Sequence, residues 1–260
     1  MKKNKKKIVC LQTTSSKDPQ KNINMLEELF AKISSKADLI CLPECVAVFT
    51  DKRKEINFFL EKYRESFFNL ISYQAKKKKS SILVGSVPER FNDSKFVNRS
   101  YVFDDRGFQK SRYDKINLFD VNLSNTENYF ESKNYASGKK LIVSDLVWGK
   151  LGMSICYDLR FPNLYRKLSK TGSIFLSIPS AFTETTGKKH WHTLLKARAI
   201  ENFSYIFAPA QGGTHYNGRK TFGHSLIISP DGKILKELKK NQGIITAKID
   251  QNFPKKLRAR

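Results

Sequence analysis

The sequence predicts an α/β fold in which helices cover a core made of two β-sheets. Segments with strand and helix patterns alternate along most of the chain, and a run of short strands separated by turn residues follows them. The chain has 260 residues, of which 40% are hydrophobic, and this is enough for a substantial core. Its length is within the range of one large domain. We therefore expect a single domain.

The first half of the chain alternates predicted strands with amphipathic helices. The predicted strands span residues 8–13, 38–42, 81–87, 97–104 and 108–113. Asp18–Pro19 supplies an N-cap and a proline in the first helical position, so a helix begins there. Residues 53–78 carry apolar side chains at helical spacing and predict one long helix. The turn Asp104–Gly107 joins the last two of these strands.

The second half begins with a polar, irregular stretch over residues 114–140. This is long for a loop, and such loops are usually functional or disordered. A helix is predicted beyond Pro162, where apolar residues recur at helical spacing, and another over about 188–203. Pro230–Gly232 predicts a hairpin turn. The predicted strands span residues 141–146, 150–155, 173–178, 205–210, 223–229, 233–238 and 243–249.

The formal net charge of +24 would fit a nucleic-acid partner. The basic residues, however, form short clusters at predicted helix ends and turns, with no stripe interleaved with aromatic residues. These clusters are Lys5–Lys7, Lys76–Lys79, Lys139–Lys140, Lys188–Lys189, Lys239–Lys240 and Lys255–Lys256. The chain is also rich in Lys, Asn, Ile, Phe and Ser, a composition that AT-rich coding DNA produces. We therefore interpret the charge as a compositional bias and expect no specific nucleic-acid partner.

The sequence also bears on the compartment. Apolar runs fall short of a membrane span, and the basic start of the chain leads into a strand rather than into the apolar core of a signal peptide. The four cysteines are too few for a disulfide framework in a chain of this length. We therefore expect a cytoplasmic protein with reduced thiols and no membrane partner.

Three residues with reactive or charged side chains lie at strand ends or at the start of a loop, where a side chain is not needed to fill the core. Glu44 follows a strand and a proline, Lys115 opens the irregular stretch, and Cys156 stands where a strand ends and the chain turns towards a helix. A thiol there projects from the carboxyl edge of a sheet, where open α/β sheets bind ligands. A thiol nucleophile needs a base and an oxyanion donor, which a partly desolvated Glu and a Lys ammonium can supply. Taken singly, each residue also fits an ordinary buried or surface role.

The sequence contexts of these three residues together resemble the nitrilase (carbon–nitrogen hydrolase) superfamily. Glu44 lies in Leu-Pro-Glu, Lys115 in Tyr-Asp-Lys-Ile-Asn-Leu-Phe-Asp, and Cys156 in Gly-Met-Ser-Ile-Cys-Tyr-Asp-Leu-Arg-Phe-Pro. Their order and spacing also agree with the family, with 71 residues from the first to the second and 41 from the second to the third. Further matches between about Ile8 and Ile249 are Phe130–Ser132, Pro179–Phe182, Arg198–Asn202 and Gly223–Ser225.

The resemblance implies a four-layer α-β-β-α sandwich of the nitrilase type, formed by a single carbon–nitrogen hydrolase domain over residues 6–260. It implies that Glu44 is the base, Lys115 the oxyanion stabiliser and Cys156 the nucleophile. Glu131 would be an assisting carboxylate. The implied reaction is hydrolysis of an amide through a cysteine thioester, with release of ammonia and with no metal or other cofactor.

The residues after the nucleophile resemble the amidase branches of the superfamily, because Cys-Tyr-Asp stands where nitrilases typically carry Cys-Trp-Glu. Pro179–Phe182 and Ala210–Gly213 resemble most closely the deaminated glutathione amidases, with the ω-amidases as the alternative. The expected small-molecule substrate is therefore an amide that also carries a carboxylate. The expected substrate-binding residues are Tyr157, Arg160 and Phe182. Arg160 is included because a guanidinium can pair with a carboxylate through two parallel hydrogen bonds.

Two positions depart from the family pattern. Asn117 stands where His is usual, and His192 stands where Glu is usual. The family pattern also implies that the helix after the nucleophile and the helix around residues 190–203 pack against a twofold partner. The apolar residues in these segments are Phe161, Leu164, Leu168, Trp191, Leu194 and Leu195. We therefore expect a homodimer or a larger even homo-oligomer.

Other classes of protein remain as alternatives. A papain-like hydrolase would take its base from one of the histidines His190, His192, His215 and His224, although the papain context around the cysteine is absent. Class I glutamine amidotransferases also place a cysteine at a strand–helix turn, but they flank it with glycines. A zinc site would use Cys41, Cys45, His190 and His192. A basic nucleic-acid-binding protein without activity is the alternative outside the enzymes.

Overall fold

The computed structural model describes residues 5–34, 36–124 and 127–259, and two six-stranded sheets form the centre of this part of the chain. The helices are α1 (Pro19–Ala31), α2 (Arg53–Lys62), α3 (Arg64–Lys78), α4 (Pro162–Lys170), α5 (Glu184–Asn202) and α6 (Phe253–Arg258). The strands are β1 (Lys5–Gln12), β2 (Leu39–Cys41), β3 (Ser81–Arg90), β4 (Phe96–Phe103), β5 (Gln109–Asp114), β6 (Asp120–Asn122), β7 (Asn128–Phe130), β8 (Val143–Leu146), β9 (Gly149–Met153), β10 (Phe175–Ser177), β11 (Tyr205–Ala208), β12 (Gly212–Thr214), β13 (Lys220–Phe222), β14 (Leu226–Ile228), β15 (Ile234–Glu237) and β16 (Gly243–Asp250).

The first sheet has the strand order β16-β1-β2-β3-β4-β5, with β1, β2 and β3 parallel to one another. Successive side chains of a strand point to opposite faces. Along β1, Val9 and Leu11 therefore join one core cluster with residues of α1, α2 and α3, whereas Ile8 and Cys10 join the other cluster. This first sheet thus has helices on one face and the second sheet on the other.

The second sheet has the strand order β15-β14-β11-β10-β9-β8, with β9, β10 and β11 parallel. Its apolar side chains, such as Phe175 and Phe207, share one core cluster with Leu168 of α4 and with Trp191 and Leu195 of α5. The layers therefore run from α1–α3 through the two sheets to α4 and α5. This arrangement confirms the predicted four-layer α-β-β-α sandwich.

The loops that leave the sheets at β2, β5 and β9 carry the three residues singled out in the sequence. Glu44 follows β2, Lys115 directly follows β5, and Cys156 follows β9 after two residues in extended conformation. An isolated bridge between Thr13 and Gln211 joins the loops of the two sheets on this side. The fold thereby brings segments that are distant in sequence to one edge of the sandwich.

Several predicted element boundaries were wrong. The helix predicted over 53–78 is interrupted at Tyr63, whose backbone leaves helical geometry (φ −126°, ψ −12°), although the apolar periodicity continues through it. The stretch over 114–140, predicted as a loop, contains the β6–β7 hairpin. Helix α5 starts earlier than predicted because the hydroxyl of Thr183 caps it by accepting from the N–H of Thr186. The β12–β13 hairpin and α6 were not predicted.

The apolar residues expected at a subunit contact are mostly buried within the chain itself. Four of them are at most 7% exposed and pack in the core: Leu164 and Leu168 of α4, and Trp191 and Leu195 of α5. Phe161 remains 38% exposed, and two residues not predicted, Ile200 and Phe203, are 50% and 43% exposed. The described helices include none that is long and apolar enough to cross a membrane.

Candidate active site

Cys156 opens a 3-10 turn over Cys156–Arg160 and has a left-handed backbone conformation (φ +50°). This conformation costs about 1–2 kcal/mol for a residue with a side chain, so the surrounding contacts must hold it. The backbone N–H of Cys156 donates to the carbonyl oxygen of Pro179 at 2.9 Å. The Asp158 carboxylate accepts from the backbone N–H of Ile155 at 2.9 Å. The thiol is thereby fixed on a tight turn at the edge of the second sheet.

Asp158 is fully buried and connects this turn to the segment that carries Lys115. Its Oδ2 accepts from the hydroxyl of Tyr113 at 2.8 Å, and its Oδ1 accepts from the backbone N–H and the side-chain Nδ2 of Asn117 at 2.9 and 2.7 Å. Burial raises the pKa of Asp158, and these hydrogen bonds act against that shift. Asn117 thus has a structural partner, although His is usual at its position in the family pattern.

Contacts to the backbone turn at Glu44 and Cys45 fix the position of Glu44. The next residue, Cys45, is also left-handed (φ +54°), and its N–H donates to Ser86 Oγ at 2.9 Å. The carbonyl oxygen of Glu44 accepts from Gln211 Nε2 at 2.8 Å. Gly85 leaves room for this turn, because a Cβ there would lie 2.1 Å from the carbonyl oxygen of Leu42. The backbone turn that carries Glu44 is therefore fixed by residues of β3 and by Gln211.

Glu44, Lys115 and Glu131 form one ion-pair network. Lys115 Nζ lies 3.0 Å from Glu44 Oε1 and 2.8 Å from Glu131 Oε2, and its side chain is 2% exposed. The backbone N–H of Ala181 donates to the second oxygen of Glu44, Oε2, at 2.7 Å. Cys156 lines the same cavity as these three residues, and the Glu44 carboxylate is near enough to raise the pKa of the thiol. The structure thus brings all four predicted catalytic residues together.

Asn98, on β4, joins the two carboxylates. Its Nδ2 donates to Glu44 Oε1 at 3.0 Å and to Glu131 Oε1 at 3.1 Å, and the residue is buried. Both N–H bonds of this amide group are therefore used on catalytic candidates. The sequence analysis missed Asn98, because it is one of three successive polar residues, Asn98, Arg99 and Ser100, in β4 and the sequence does not distinguish it from the other two.

The charges in this network shift the pKa values of the thiol and the ammonium group. Burial raises the pKa of Cys156, the Glu44 carboxylate raises it further, and Lys115 acts in the opposite direction without cancelling the shift. Burial by itself lowers the pKa of Lys115, but Glu131 and Glu44 raise it well above its ordinary value. At neutral pH the thiol is therefore protonated beside a carboxylate that can accept its proton, and Lys115 is a cation.

A cavity of about 530 Å³ opens in front of these residues, a size typical of small-molecule sites. Tyr157 and Phe182, two predicted substrate-binding residues, line it together with the catalytic candidates. Arg160 does not line it. Its guanidinium lies over the rings of Tyr157 (5.8 Å) and Phe182 (5.6 Å) and contacts His190 Nδ1 at 3.1 Å. Direct contact between Arg160 and substrate remains a prediction.

A different arginine, Arg219, lines the cavity and was missed in the sequence analysis. Its guanidinium lies over the rings of Phe49 (5.0 Å) and Tyr129 (4.8 Å), and Nη2 donates to the carbonyl oxygen of Ala181 at 3.1 Å. Its Nε is buried without a hydrogen-bond partner in the described part of the chain. Arg219 therefore places a guanidinium cation in the wall of the cavity.

The geometry disfavours the alternatives based on histidine. All four histidines lie within the described residues, and none of them lines the cavity. His215 is buried between Ser15 and Thr221, which it contacts through Nδ1 and Nε2 at 2.8 and 2.7 Å. For the zinc alternative, neither Cys41 nor Cys45 belongs to a group of three or more metal-ligating side chains among the described residues.

Comparison with known proteins identifies the family. The chain matches the carbon-nitrogen hydrolase family model over residues 7–259 and belongs to this family. It is 37% identical over 256 residues to a deaminated glutathione amidase of Synechocystis sp., covering 96% of this chain and 93% of that protein. It is 32% identical over 251 residues to the omega-amidase NIT3 of Saccharomyces cerevisiae, covering 93% and 86%.

Solved structures give the same classification. The crystal structure of the Caenorhabditis elegans NitFhit protein matches with a TM-score of 0.90 at 31% identity, over 100% of this chain and 64% of that one. The protein is therefore a hydrolase of the nitrilase superfamily that acts on amides.

Proposed function

We propose that this chain hydrolyses the terminal amide of a small carboxylated substrate through a thioester on Cys156, releasing ammonia. The observation that supports the proposal is the buried ion pair of Glu44 and Lys115 in a cavity that Cys156 also lines. In this proposal Glu44 is the base, Cys156 the nucleophile and Lys115 the cation of a site that admits a small molecule.

In the first step the thiol sulfur attacks the carbonyl carbon of the amide as Glu44 accepts the thiol proton. Because the pKa of Cys156 is raised by burial and by Glu44, the proton leaves during the attack rather than before it. The Ala181 N–H and the Lys115 ammonium group hold the Glu44 carboxylate in place for this transfer. Asn98 fixes the same carboxylate from the side of β4.

The oxyanion that forms in this step is stabilised by Lys115 and by the backbone N–H of Tyr157. A lysine ammonium group has three N–H bonds. Two of them go to Glu44 and Glu131, which leaves one for the carbonyl oxygen of the substrate. The cation also offsets the charge that develops in a site with little water.

The tetrahedral intermediate collapses when the carbon–nitrogen bond breaks and the nitrogen takes the proton from Glu44. Ammonia leaves from a primary amide, and the free amine leaves from a substituted amide such as deaminated glutathione. Water then attacks the thioester carbon, with Glu44 as the base that accepts the water proton. The carbon–sulfur bond breaks, the proton returns to sulfur, and a carboxylic acid leaves. Glu131 keeps Lys115 oriented through both steps.

We propose that the substrate carboxylate binds to Arg219. A guanidinium offers parallel donors to a carboxylate, and Arg219 lines the cavity. The rings of Phe49 and Tyr129 hold its plane. Tyr157 and Phe182 form an apolar wall of the same cavity, and Arg160 supports both rings from outside it.

Deaminated glutathione is the first candidate substrate, because a relative with 37% identity carries that activity in its name. The ω-amide of a dicarboxylic keto acid is the second, because a relative with 32% identity is an omega-amidase. Both compounds contain a carboxylate besides the amide.

Hydrolysis of a panel of amides tests the proposed function. It is measured as ammonia release for the primary amides and as release of cysteinylglycine for deaminated glutathione, whose amide nitrogen belongs to that dipeptide. The panel contains deaminated glutathione, α-ketoglutaramate, glutamine, asparagine and simple aliphatic amides, with Cys156→Ala as the control. We expect the highest kcat/KM for deaminated glutathione. A higher value for α-ketoglutaramate would indicate the ω-amidase function instead. Salt-dependent DNA binding without hydrolysis of any amide would contradict both.

We also propose that residues 6–260 form one carbon–nitrogen hydrolase domain, which the family match over 7–259 supports. A cytoplasmic location is supported by the four cysteines, all of which are free. We propose a homodimer or larger even assembly, supported by the exposed rings of Phe161 and Phe203 and by Ile200. Light scattering that gives a single 30.0 kDa species at micromolar concentration would contradict it.

A further inference from the structure

A second cluster of metal-ligating side chains lies apart from the proposed catalytic residues, where α5 and β15 meet the segment between β13 and β14. It consists of His192, His224 and Glu237, one from each of these three places, and is called the His–His–Glu cluster below. Glu237 Oε1 lies 2.9 Å from His192 Nε2 and 2.6 Å from His224 Nδ1. One carboxylate oxygen therefore faces one nitrogen of each ring.

The backbone and the rings around this cluster are already in place. The indole N–H of Trp191 donates to the carbonyl oxygen of His224 at 2.8 Å, and the N–H of His224 donates to the carbonyl oxygen of Lys239 at 2.9 Å. The ring of Phe222 stacks on the His224 imidazole, with centroids 4.2 Å apart and an angle of 19°. His224 has a left-handed backbone (φ +54°). Such strain persists only where the surroundings determine it.

We propose that the His–His–Glu cluster binds a zinc ion. Its three donor atoms all lie within 4.8 Å of one another. A tetrahedral zinc ion with bonds of about 2.0–2.2 Å needs ligand atoms about 3.3 Å apart, so small side-chain movements suffice. Two imidazole nitrogens and one carboxylate oxygen suit zinc, whereas magnesium and calcium prefer oxygen ligands alone. Water completes the fourth position.

Binding exchanges hydrogen bonds for metal bonds. On each imidazole the nitrogen that faces Glu237 is the one that would bind zinc, so that nitrogen must give up any proton it carries when the ion enters. The side chains of His192, His224 and Glu237 are 33%, 18% and 30% exposed, so the ion can enter from solvent. His192 is also the position that departs from the family pattern.

The ion would join α5 to the edge of the second sheet that ends at β15. His192 follows Trp191, whose ring lies 4.9 Å from that of Phe182 on the cavity wall. We expect zinc therefore to act as a clip that stabilises the folded chain, because a ligand that binds only the native state raises the unfolding temperature.

Isothermal titration of the full chain with zinc chloride tests the site. The Cys156→Ala background removes a thiol that could bind zinc itself. We expect one ion per chain in this background and in the matched control Cys156→Ala/His190→Ala, since His190 is on the same helix but contacts Arg160. Cys156→Ala/His192→Ala and Cys156→Ala/Glu237→Gln lack one ligand each, and we expect them to bind at least about 100-fold more weakly.

Thermal unfolding with and without zinc gives an independent readout. The unfolding temperature should rise with zinc in the background and in the His190→Ala control, but not in the two ligand variants. Circular dichroism in the presence of a chelator checks that each variant folds. Because each of the two ligand variants lacks a different zinc ligand, agreement between them rules out an effect peculiar to one substitution. Two results would overturn the proposal. One is that the Cys156→Ala background does not bind one zinc ion per chain at micromolar zinc. The other is that adding His192→Ala or Glu237→Gln leaves zinc binding as tight as in that background.

Discussion

Nζ of Lys115 lies 3.0 Å from Oε1 of Glu44, and both side chains are almost completely buried. Removing two charges from water is costly, and their attraction offsets this cost only when further hydrogen bonds satisfy the groups. Here the Ala181 N–H and the Asn98 amide supply such bonds to Glu44. A buried pair of this kind is weak evidence for stability. Its position in the cavity that Cys156 also lines supports the proposal that it serves the chemistry.

Replacing Glu44 by Gln should separate ionisation of the thiol from catalysis. The Glu44 charge is the second largest cause of the raised pKa of Cys156, after burial, while Lys115 lowers it. In Glu44→Gln the pKa of Cys156 should fall, so iodoacetamide should alkylate Cys156 faster than in the wild type at about pH 8. Turnover should nevertheless fall by about 10³-fold or more because the base is missing. Slower alkylation together with retained turnover would exclude Glu44 as the base.

Replacing Asn98 by Leu should lower kcat without unfolding the chain. The Asn98 amide donates to both Glu44 and Glu131, and one hydrogen bond to a charged group contributes about 1.5–3 kcal/mol. We expect kcat to fall about 10- to 100-fold and the pH dependence of kcat to shift. Ser100→Ala is the matched control, because Ser100 is also buried on β4 but bonds to the carbonyl oxygen of Val84. Equal losses in both variants would indicate a merely structural role.

Replacing Arg219 by Lys should discriminate between substrates. If the guanidinium binds the substrate carboxylate, KM for carboxylated amides should rise by about 10- to 100-fold, the scale of a charged hydrogen bond. KM for a neutral amide of similar length should change little. Arg160→Lys is the matched comparison, because Arg160 lies behind the cavity wall over Tyr157 and Phe182. A selective effect of Arg160→Lys with none for Arg219→Lys would reassign the carboxylate site to Arg160.

Stability towards acid should depend on His215. Burial lowers the pKa of His215 to about 4, with Arg219 acting in the same direction and a bond to Ser15 against it. The unfolded chain has a His pKa of about 6.5. The unfolded state therefore binds the proton first, and the contribution of His215 to stability is complete above about pH 6.5 and is lost as the pH falls towards 4.

Urea unfolding at two pH values measures this contribution. Between about pH 7 and pH 5 the free energy of unfolding should fall by about 2 kcal/mol through His215 alone, at 1.36 kcal/mol per pKa unit. His215→Gln should be less stable at neutral pH, because it disturbs the bonds to Ser15 and Thr221. Its stability should depend less steeply on pH. The same pH dependence in variant and wild type would contradict this role of His215.

Much of the fold and of the candidate site could be predicted because local patterns determine them. Glu44, Lys115 and Cys156 each follow a strand whose end is marked in the sequence. The side chains at those ends meet because the sheets bring their loops to one edge. Glu131 required the family pattern, since it lies in a polar stretch whose strands have three residues each, too short for a periodic signal.

The remaining features depend on tertiary contacts. Asn98 lies within a strand, and its sequence neighbours do not reveal which face of the sheet meets the cavity. Arg219 lies between the two three-residue strands of the β12–β13 hairpin. The pairing of β16 with β1, from opposite ends of the chain, also has no local signature. Trp191 and Leu195 appeared available for a subunit contact, but their own sheet buries them.

Formation of a thioester on Cys156 is the central proposal, and intact-protein mass spectrometry with a slowly turned-over amide tests it most directly. The wild type should gain the mass of the acyl group, and peptide mapping should locate it on Cys156. Cys156→Ala should fold, show no adduct and lose turnover by several orders of magnitude, as for removal of a covalent catalyst. Substantial turnover in Cys156→Ala, or an acyl group on another residue, would contradict the proposed mechanism.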